Sequence, residues 1–372
     1  MKKSSSISFK TLKVSIGLYT HEVYIGHDAL AHIGRWLLQQ PSKRAFIIAD
    51  QKLIHARKLL IRALKRSHWE VHEMPVHAGE ELKNFNTIYP LYGDLLREKA
   101  NRDSVLFALG GGTIGDACGF IASTYLRGIR WIGVPTTLLA QVDSSLGGKT
   151  GINHSEGKNL IGTFYQPSLV ICDTRFLKTL GRREMLSGFG EMIKYGVIFD
   201  PNFFKFLEKN QSHILSLKPS VLVQAIHKCL YWKARAISKD EFDRTGIREV
   251  LNFGHTFGHA LESITQYTRF QHGEAVIWGM RFALALSVVR KKLSIKRQLE
   301  IDSILSRLPV PPLPLDSSLI ELFKFMKMDK KVRHGKIHYV LLKDVGRTIT
   351  DSDVTYDDLV DSYQLLTKRV TL

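Results

Sequence analysis

The chain has 372 residues, 44% of them hydrophobic and 24% charged, which excludes a disordered or fibrous polypeptide and makes two domains the natural expectation. A formal net charge of +18 would suit nucleic acid, an anionic surface or acidic substrates. The basic residues are spread along the whole chain, however, and the densest cluster, Lys291 and Lys292 with Lys296 and Arg297, has no aromatic platform beside it, so it reads as a solvated helix face rather than a nucleic-acid site.

Met1, Lys2 and Lys3, followed by serines, lack the apolar core of a signal peptide. Val14, Ile16 and Leu18, then Val23, Tyr24 and Ile25, suggest an opening hairpin. The apolar run 45–49, ending at Asp50, reads as a buried parallel strand with a helix after it over about 51–67. A second such run, 105–109, leads into three glycines, and 131–134 and 169–171 read as further strands. Strands interleaved with helices predict an α/β, Rossmann-like domain with a mostly parallel sheet. Beyond Thr179 helical periodicity takes over, in 185–200, 203–215, 219–238, 252–265 and 273–291. The most apolar long stretch, 275–289, carries Arg281 and is too short to span a bilayer. The proline-rich segment 308–314 reads as a rigid connector between helices, and 337–342 as one short strand. The expected layout is an α/β domain over 1–178 and a mainly helical domain over 179–372, with ligands in the crevice between them. Three cysteines, Cys118, Cys172 and Cys229, form no Cys-x-x-Cys pair, which argues for a reducing compartment. A cytoplasmic protein without membrane or nucleic-acid partners is expected.

Three motifs carry chemistry. Gly110-x-Gly112-x-x-Gly115 follows a strand and opens a helix, where glycines let the backbone approach a pyrophosphate held on free N–H groups; a tight turn alone would also want glycine. Gly148-Lys149-Thr150 mimics the end of a P-loop, but that pattern needs glycine where this chain has Asp143, so a kinase or ATPase reading fails. The third motif is the strongest. His255 and His259 stand one helical turn apart, and His272 follows thirteen residues later. Imidazoles with a carboxylate form the usual ligand set of a catalytic zinc, against the plainer reading of a buried, satisfied pair. Spacing alone pairs His255 with His259 as ligands. Glu191, read as beginning a helix with Lys194 three positions along, is the candidate carboxylate.

Taken together, 109–116, 124–128, 134–145, Gly157-Lys158-Asn159, Glu191-x-x-Lys194-Tyr195-Gly196, Asn252-Phe253-Gly254-His255-x-x-x-His259 and 272–276 resemble the 3-dehydroquinate synthases, in order from about Gly79 to Val340. The resemblance implies conversion of 3-deoxy-D-arabino-heptulosonate 7-phosphate into 3-dehydroquinate and phosphate in the shikimate pathway. It implies bound NAD, a divalent metal (zinc or cobalt) and a homodimer. The implied steps are oxidation of a ring hydroxyl, phosphate elimination, re-reduction, ring opening and an internal aldol closure.

Position by position, the resemblance assigns the metal to Glu191, His255 and His272, and leaves His259 for acid/base chemistry. It assigns substrate contacts to Arg127, Asp143, Lys149, Asn159, Lys194, Lys233, Arg248 and Asn252, and to a lysine of Lys330 and Lys331; of these, Arg127 and Lys194 also count among the catalytic residues. NAD contacts fall at Asp50, Glu80, Lys83, Gly111, Gly112, Thr113, Asp116, Thr136, Thr137, Lys158 and the stretch from Phe176 to Thr179. One segment departs from the family pattern Asp-Glu-x-Glu-x-Gly-Leu-Arg. Here 240–248 is one residue longer. Counting from Lys233 puts Asp243 at the proton-acceptor position, and counting back from Arg248 puts Arg244 there. An arginine cannot accept the proton, which favours Asp243. The nearest competing readings are a polyol dehydrogenase or another sugar-phosphate cyclase on the same scaffold; a nucleic-acid-binding protein would leave the histidine constellation unexplained.

Overall fold

The computed structural model describes residues 9–314, 319–327, 332–333 and 336–368. Strands β1 (Phe9–Ile16) and β2 (Tyr19–Gly26) form an antiparallel hairpin. After the short helix α1 (Gly34–Leu37) come β3 (Arg44–Asp50), α2 (Ile54–Arg66), β4 (Glu70–Val76), α3 (Phe85–Arg97), β5 (Val105–Gly110), α4 (Gly112–Thr124) and β6 (Arg130–Pro135). A two-stranded ribbon, β7 (Lys149–His154) and β8 (Gly157–Phe164), precedes β9 (Leu169–Asp173). The main sheet has the order β1-β2-β9-β6-β5-β3-β4, and every pairing in it except β1 with β2 is parallel.

Alternation along the central strands explains the layers. Ala45, Ile47 and Ala49 of β3, with Val105, Phe107 and Leu109 of β5, pack with Leu60 and Leu64 of α2. Phe46, Ile48, Leu106 and Ala108 face the opposite side, against Leu91 of α3 and Ile121 of α4. A strand covered on both faces reads as an unbroken apolar run, which is why these strands stand out in the sequence. Strand β4 does not stand out. It is the sheet's edge, mostly uncovered, and carries Glu70, His72, Glu73 and Pro75, as edge strands do.

The remaining elements are α5 (Arg182–Phe199), α6 (Pro201–Leu215), α7 (Pro219–Ile237), α8 (His255–Ile264), α9 (His272–Val289), α10 (Ile295–Leu305), α11 (Leu319–Lys327), the strand pairs β10 (Val332–Arg333) with β11 (Lys336–Ile337) and β12 (Tyr339–Asp344) with β13 (Arg347–Asp351), and α12 (Tyr356–Thr367). Two compact units result: Met1–Leu180 with Ser216–Phe242, and Gly181–Leu215 with Asp243–Leu372. Helix α7, sequentially beyond residue 179, therefore belongs to the first unit, where it packs on β1 and β2.

Helix α9 organises the second unit. Its residues from Gly273 to Ser287 are all buried, with α5, α8, α10, α12 and β12 around it, as expected of a helix apolar on every side. No helix among the described residues is long and apolar enough to cross a membrane. The 308–314 segment is pinned as a connector: Trp278 Nε1 donates to Pro311 O at 2.9 Å and Arg269 Nη2 to Pro312 O at 2.8 Å. Two expectations need correction. Glu191 lies in the middle of α5, not at its start, because the helix begins with the charged turn at Arg182. The cluster Lys291, Lys292, Lys296 and Arg297 is not one helix face: Lys291 takes a left-handed φ of 56° in the turn between α9 and α10, and Arg297 bonds Asp344 and Glu300.

Candidate metal centre and dinucleotide pocket

Within the second unit, three helices converge because small residues let their backbones touch. A Cβ on Gly273 would stand 1.9 Å from Ser187 O of α5, and one on Gly279 would stand 1.8 Å from Gly254 O. The start of α9 is clamped further by Arg183, whose Nε and Nη2 donate to the fully buried Glu274 at 2.9 and 2.6 Å, and by Gly273 N donating to Ser187 Oγ at 2.9 Å. His255 opens α8 and His272 opens α9, so both rings meet Glu191 on the buried middle of α5.

Glu191 Oε1 lies 3.5 Å from His255 Nε2 and 3.8 Å from His272 Nε2. Lys194 Nζ, itself buried, stands 2.5 Å from Glu191 Oε2, yet neither carboxylate oxygen receives a directed hydrogen bond. Lys194 balances charge on the Oε2 side, and Oε1, which faces the two rings, keeps lone pairs open to a second cation. Ligand atoms of a tetrahedral zinc with bonds of about 2.0–2.1 Å lie about 3.3 Å apart, close to the spacing seen. The donor set Glu191, His255 and His272, with its ligand atoms within 4.8 Å of one another, fits a zinc- or cobalt-like dication.

The other ring nitrogens support that orientation. His255 Nδ1 faces Phe253 O at 3.3 Å and His272 Nδ1 faces Glu262 Oε2 at 3.3 Å. An Nδ1–H donated to each acceptor leaves both Nε2 lone pairs toward Glu191. Burial opposes protonation of His272, but Glu262 and then Glu191 outweigh it and raise its pKa. His259, His272 and Glu262 form a second, overlapping group. The two groups share His272, whose Nε2 is 3.8 Å from Glu191 Oε1 and whose Nδ1 is 3.3 Å from Glu262 Oε2. The first group has the more buried carboxylate, with both histidine Nε2 atoms facing Glu191 Oε1. The His255–His259 pairing suggested by spacing alone is absent from both groups, although the two rings are neighbours with centroids 5.5 Å apart.

The glycine motif lies in the first unit. The N-terminus of α4 opens on a pocket lined by Gly110, Gly111, Gly112, Gly115, Asp116, Ser144 and Lys149, among others. A Cβ on Gly115 would meet nothing within 4 Å, so glycine there leaves ligand space open rather than admitting protein. Lys83, 2% exposed, donates to Asp116 Oδ2 at 2.6 Å and to Asn159 Oδ1. Enclosure raises the Asp116 pKa, with Lys83 pulling the other way. Asn153 Nδ2 donates to Glu80 Oε2 at 2.8 Å, and Lys158 Nζ is 4.0 Å from the same oxygen. Thr136 is buried and Thr137 partly so, Asp50 ends β3, and Phe176 packs into the core with Thr179 exposed beyond it.

The other sequence-derived residues divide between the units. In the first, Lys233 of α7 reaches Asp143 with contacts of 2.7 Å to its carbonyl and 3.0 Å to Oδ1. Lys149 is exposed, and the exposed Arg127 sits in a turn where Leu126, Arg127 and Gly128 all have positive φ (51°, 67° and 126°), the kind of strain stored at functional sites. In the second, Arg248 is buried on a 3-10 turn, Asn252 lines a small cavity with Phe257 and Met326, and Asp243 is half-buried at φ 56° beside an exposed Arg244. Lys330 and Lys331 lie outside the described residues. Sequence reasoning missed Glu262 and the Arg183–Glu274 clamp. The i+3 spacing of Glu262 from His259 was the available signal for the first; the second joins residues 91 apart and left none.

A family model described as 3-dehydroquinate synthase N-terminal matches residues 73–187, and one described as 3-dehydroquinate synthase C-terminal matches residues 188–332. The 3-dehydroquinate synthase of Desulforamulus reducens is 40% identical over 354 residues, covering 94% of this chain and 98% of that protein. The chain belongs to the 3-dehydroquinate synthase family. Among solved structures, 2-deoxy-scyllo-inosose synthase complexed with carbaglucose-6-phosphate, NAD+ and Co2+ is similar with a TM-score of 0.84 at 24% identity, covering 96% of this chain and 100% of that one. 2-epi-5-epi-valiolone synthase from Streptomyces hygroscopicus subsp. jinggangensis 5008, with NAD+ and Zn2+ bound, has a TM-score of 0.84 at 23% identity, covering 95% and 99%. At these identities the likeness establishes the shared fold.

Proposed function

We propose that this chain converts 3-deoxy-D-arabino-heptulosonate 7-phosphate into 3-dehydroquinate and phosphate, using NAD and a divalent metal. The observation that carries the reading is the buried Glu191 carboxylate facing two histidine Nε2 atoms, in a chain that matches a 3-dehydroquinate synthase over nearly its whole length. Glu191, His255 and His272 would hold the metal, and the cavity at the start of α4 would hold the dinucleotide. The chemistry these groups supply when bound is polarisation of a substrate oxygen by the dication and reversible acceptance of hydride by the nicotinamide.

The chain's own residues do the rest. The N–H groups at the start of α4 receive pyrophosphate charge, and the Lys83–Asp116 pair fixes the rim beside them. Lys149, Lys194, Lys233, Arg127 and Arg248, with a lysine of Lys330 and Lys331, supply cations for a substrate bearing carboxylate and phosphate; Asn159 and Asn252 supply amides. His259, outside the metal set, holds or moves a proton near the phosphate, and Asp243 serves as the acceptor. The family resemblance supports a cytoplasmic homodimer with no nucleic-acid partner. Phosphate release from the heptulosonate phosphate, measured with NAD+ and zinc or cobalt and again after chelation, tests the reading. Release that is metal-dependent without net NADH supports it. Stoichiometric NADH would make the chain a dehydrogenase, and no release with both cofactors present would refute the assignment.

A further inference from the structure

We propose that Glu262 is a positioning residue of the metal centre, accepting the Nδ1–H of His272 and thereby turning its Nε2 lone pair toward Glu191. The inference rests on the reading that Glu191, His255 and His272 hold the metal.

Glu262 lies on α8, two turns beyond His255, while His272 opens α9. Its Oε2 is 3.3 Å from His272 Nδ1, and its side chain is 12% exposed against 33% for the histidine. The carboxylate is therefore the more enclosed member of the pair and forms the wall against which the ring rests. His272 Nδ1 faces this carboxylate, where His255 Nδ1 faces the carbonyl of Phe253. A ring held from the Nδ1 side by a carboxylate has one tautomer, one orientation and a more basic Nε2. His255 and His272 are thus oriented by different means, a carbonyl for the first and a charge for the second.

The alternative role, in which Glu262 itself joins His259 and His272 as a ligand, would draw the metal to the side of the ring that faces Glu262, where Nδ1 stands 3.3 Å from Oε2. That would leave Glu191 Oε1 and the two histidine Nε2 atoms facing one another with no cation between them. The geometry favours Glu262 behind the ligand.

The test is the dissociation constant for cobalt alone, measured by competition with a chromogenic chelator and by the visible ligand-field bands, on the full chain without substrate. Glu262→Gln keeps an acceptor but loses the charge, and is expected to weaken cobalt binding about 10-fold; Glu262→Ala loses both, for up to ~100-fold. Both should retain the wild-type secondary structure and metal-free melting midpoint by circular dichroism. If the alanine variant does not fold, the glutamine variant alone decides. Glu191→Gln should bind far more weakly than either, and His259→Ala should bind as the wild type does. Cobalt affinity in Glu262→Gln and Glu262→Ala within twofold of wild type, alongside an impaired Glu191→Gln, overturns the inference and leaves the ligand assignment standing. Wild-type affinity in Glu191→Gln defeats the ligand assignment itself. A loss in His259→Ala as large as that in Glu262→Ala would make Glu262 a ligand and also overturn the proposal.

Discussion

Burial decides what the titratable side chains of the sheet can tolerate. His21 on β2 is 5% exposed, neither ring nitrogen has a hydrogen-bond partner, and burial lowers its pKa from 6.5 to about 4. The unfolded ring protonates first as pH falls, so the stability held by the neutral ring is complete above about pH 6.5 and is lost progressively toward pH 4. At 1.36 kcal/mol per pKa unit the loss is roughly 3 kcal/mol. His21→Leu, close in volume, should flatten this acid limb in urea unfolding followed from pH 7 to pH 4; an unchanged limb would place the effect elsewhere. At the site, Asp243→Asn should lower kcat about 100-fold if Asp243 is the proton acceptor. A loss no greater than that of the exposed control Asp361→Asn would remove it from that role. The histidines were legible as a metal cluster because the donor types and their spacing are local properties. Which ring nitrogen faces Glu191 was not, since that depends on where Phe253 O and Glu262 stand in three dimensions.

At the scale of elements, the metal centre depends on how closely α5 and α9 approach. Gly273→Ala would drive a methyl group into Ser187 O, 1.9 Å away in the present backbone, and both neighbours are buried helix backbone that cannot rotate aside. The expected result is a destabilisation of roughly 1–3 kcal/mol together with weaker metal binding, because His272 is the residue before it. Chemical denaturation and cobalt titration of the same protein check the two effects. A variant of normal stability and affinity would show that α9 is free to shift. Helices α5 to α9 were readable from periodicity and β3 and β5 from their apolar runs, whereas α3, α10, α11 and α12 were not read. Nor were the strands β4, β7, β8 and β13: they carry polar or glycine-rich sequences without a clean apolar alternation, although β7 with β8 and β12 with β13 pair as local hairpins.

For the whole molecule, the net charge of +18 bears on how an anionic substrate arrives. A field of that sign raises the encounter rate and is screened as the Debye length falls from about 30 Å at 0.01 M salt to about 8 Å at 0.15 M. The ratio kcat/KM should accordingly drop roughly 3–10-fold over that range, with kcat little changed; a salt-independent ratio would confine the useful charge to the site.

By itself the sequence determined the α/β-then-helical order, the glycine-rich turn after β5 and the histidine–carboxylate chemistry, because each is written in neighbouring residues. Only the tertiary structure decided that α7 returns to the first unit and that Glu191 sits mid-helix. Residue spacing alone paired His255 with His259, the family resemblance named His272, and the packing of α5, α8 and α9 brings His255 and His272 to Glu191. These facts depend on which backbones can touch, and the glycines that allow the contact find their partners, Ser187 and Gly254, only once α5, α8 and α9 are packed.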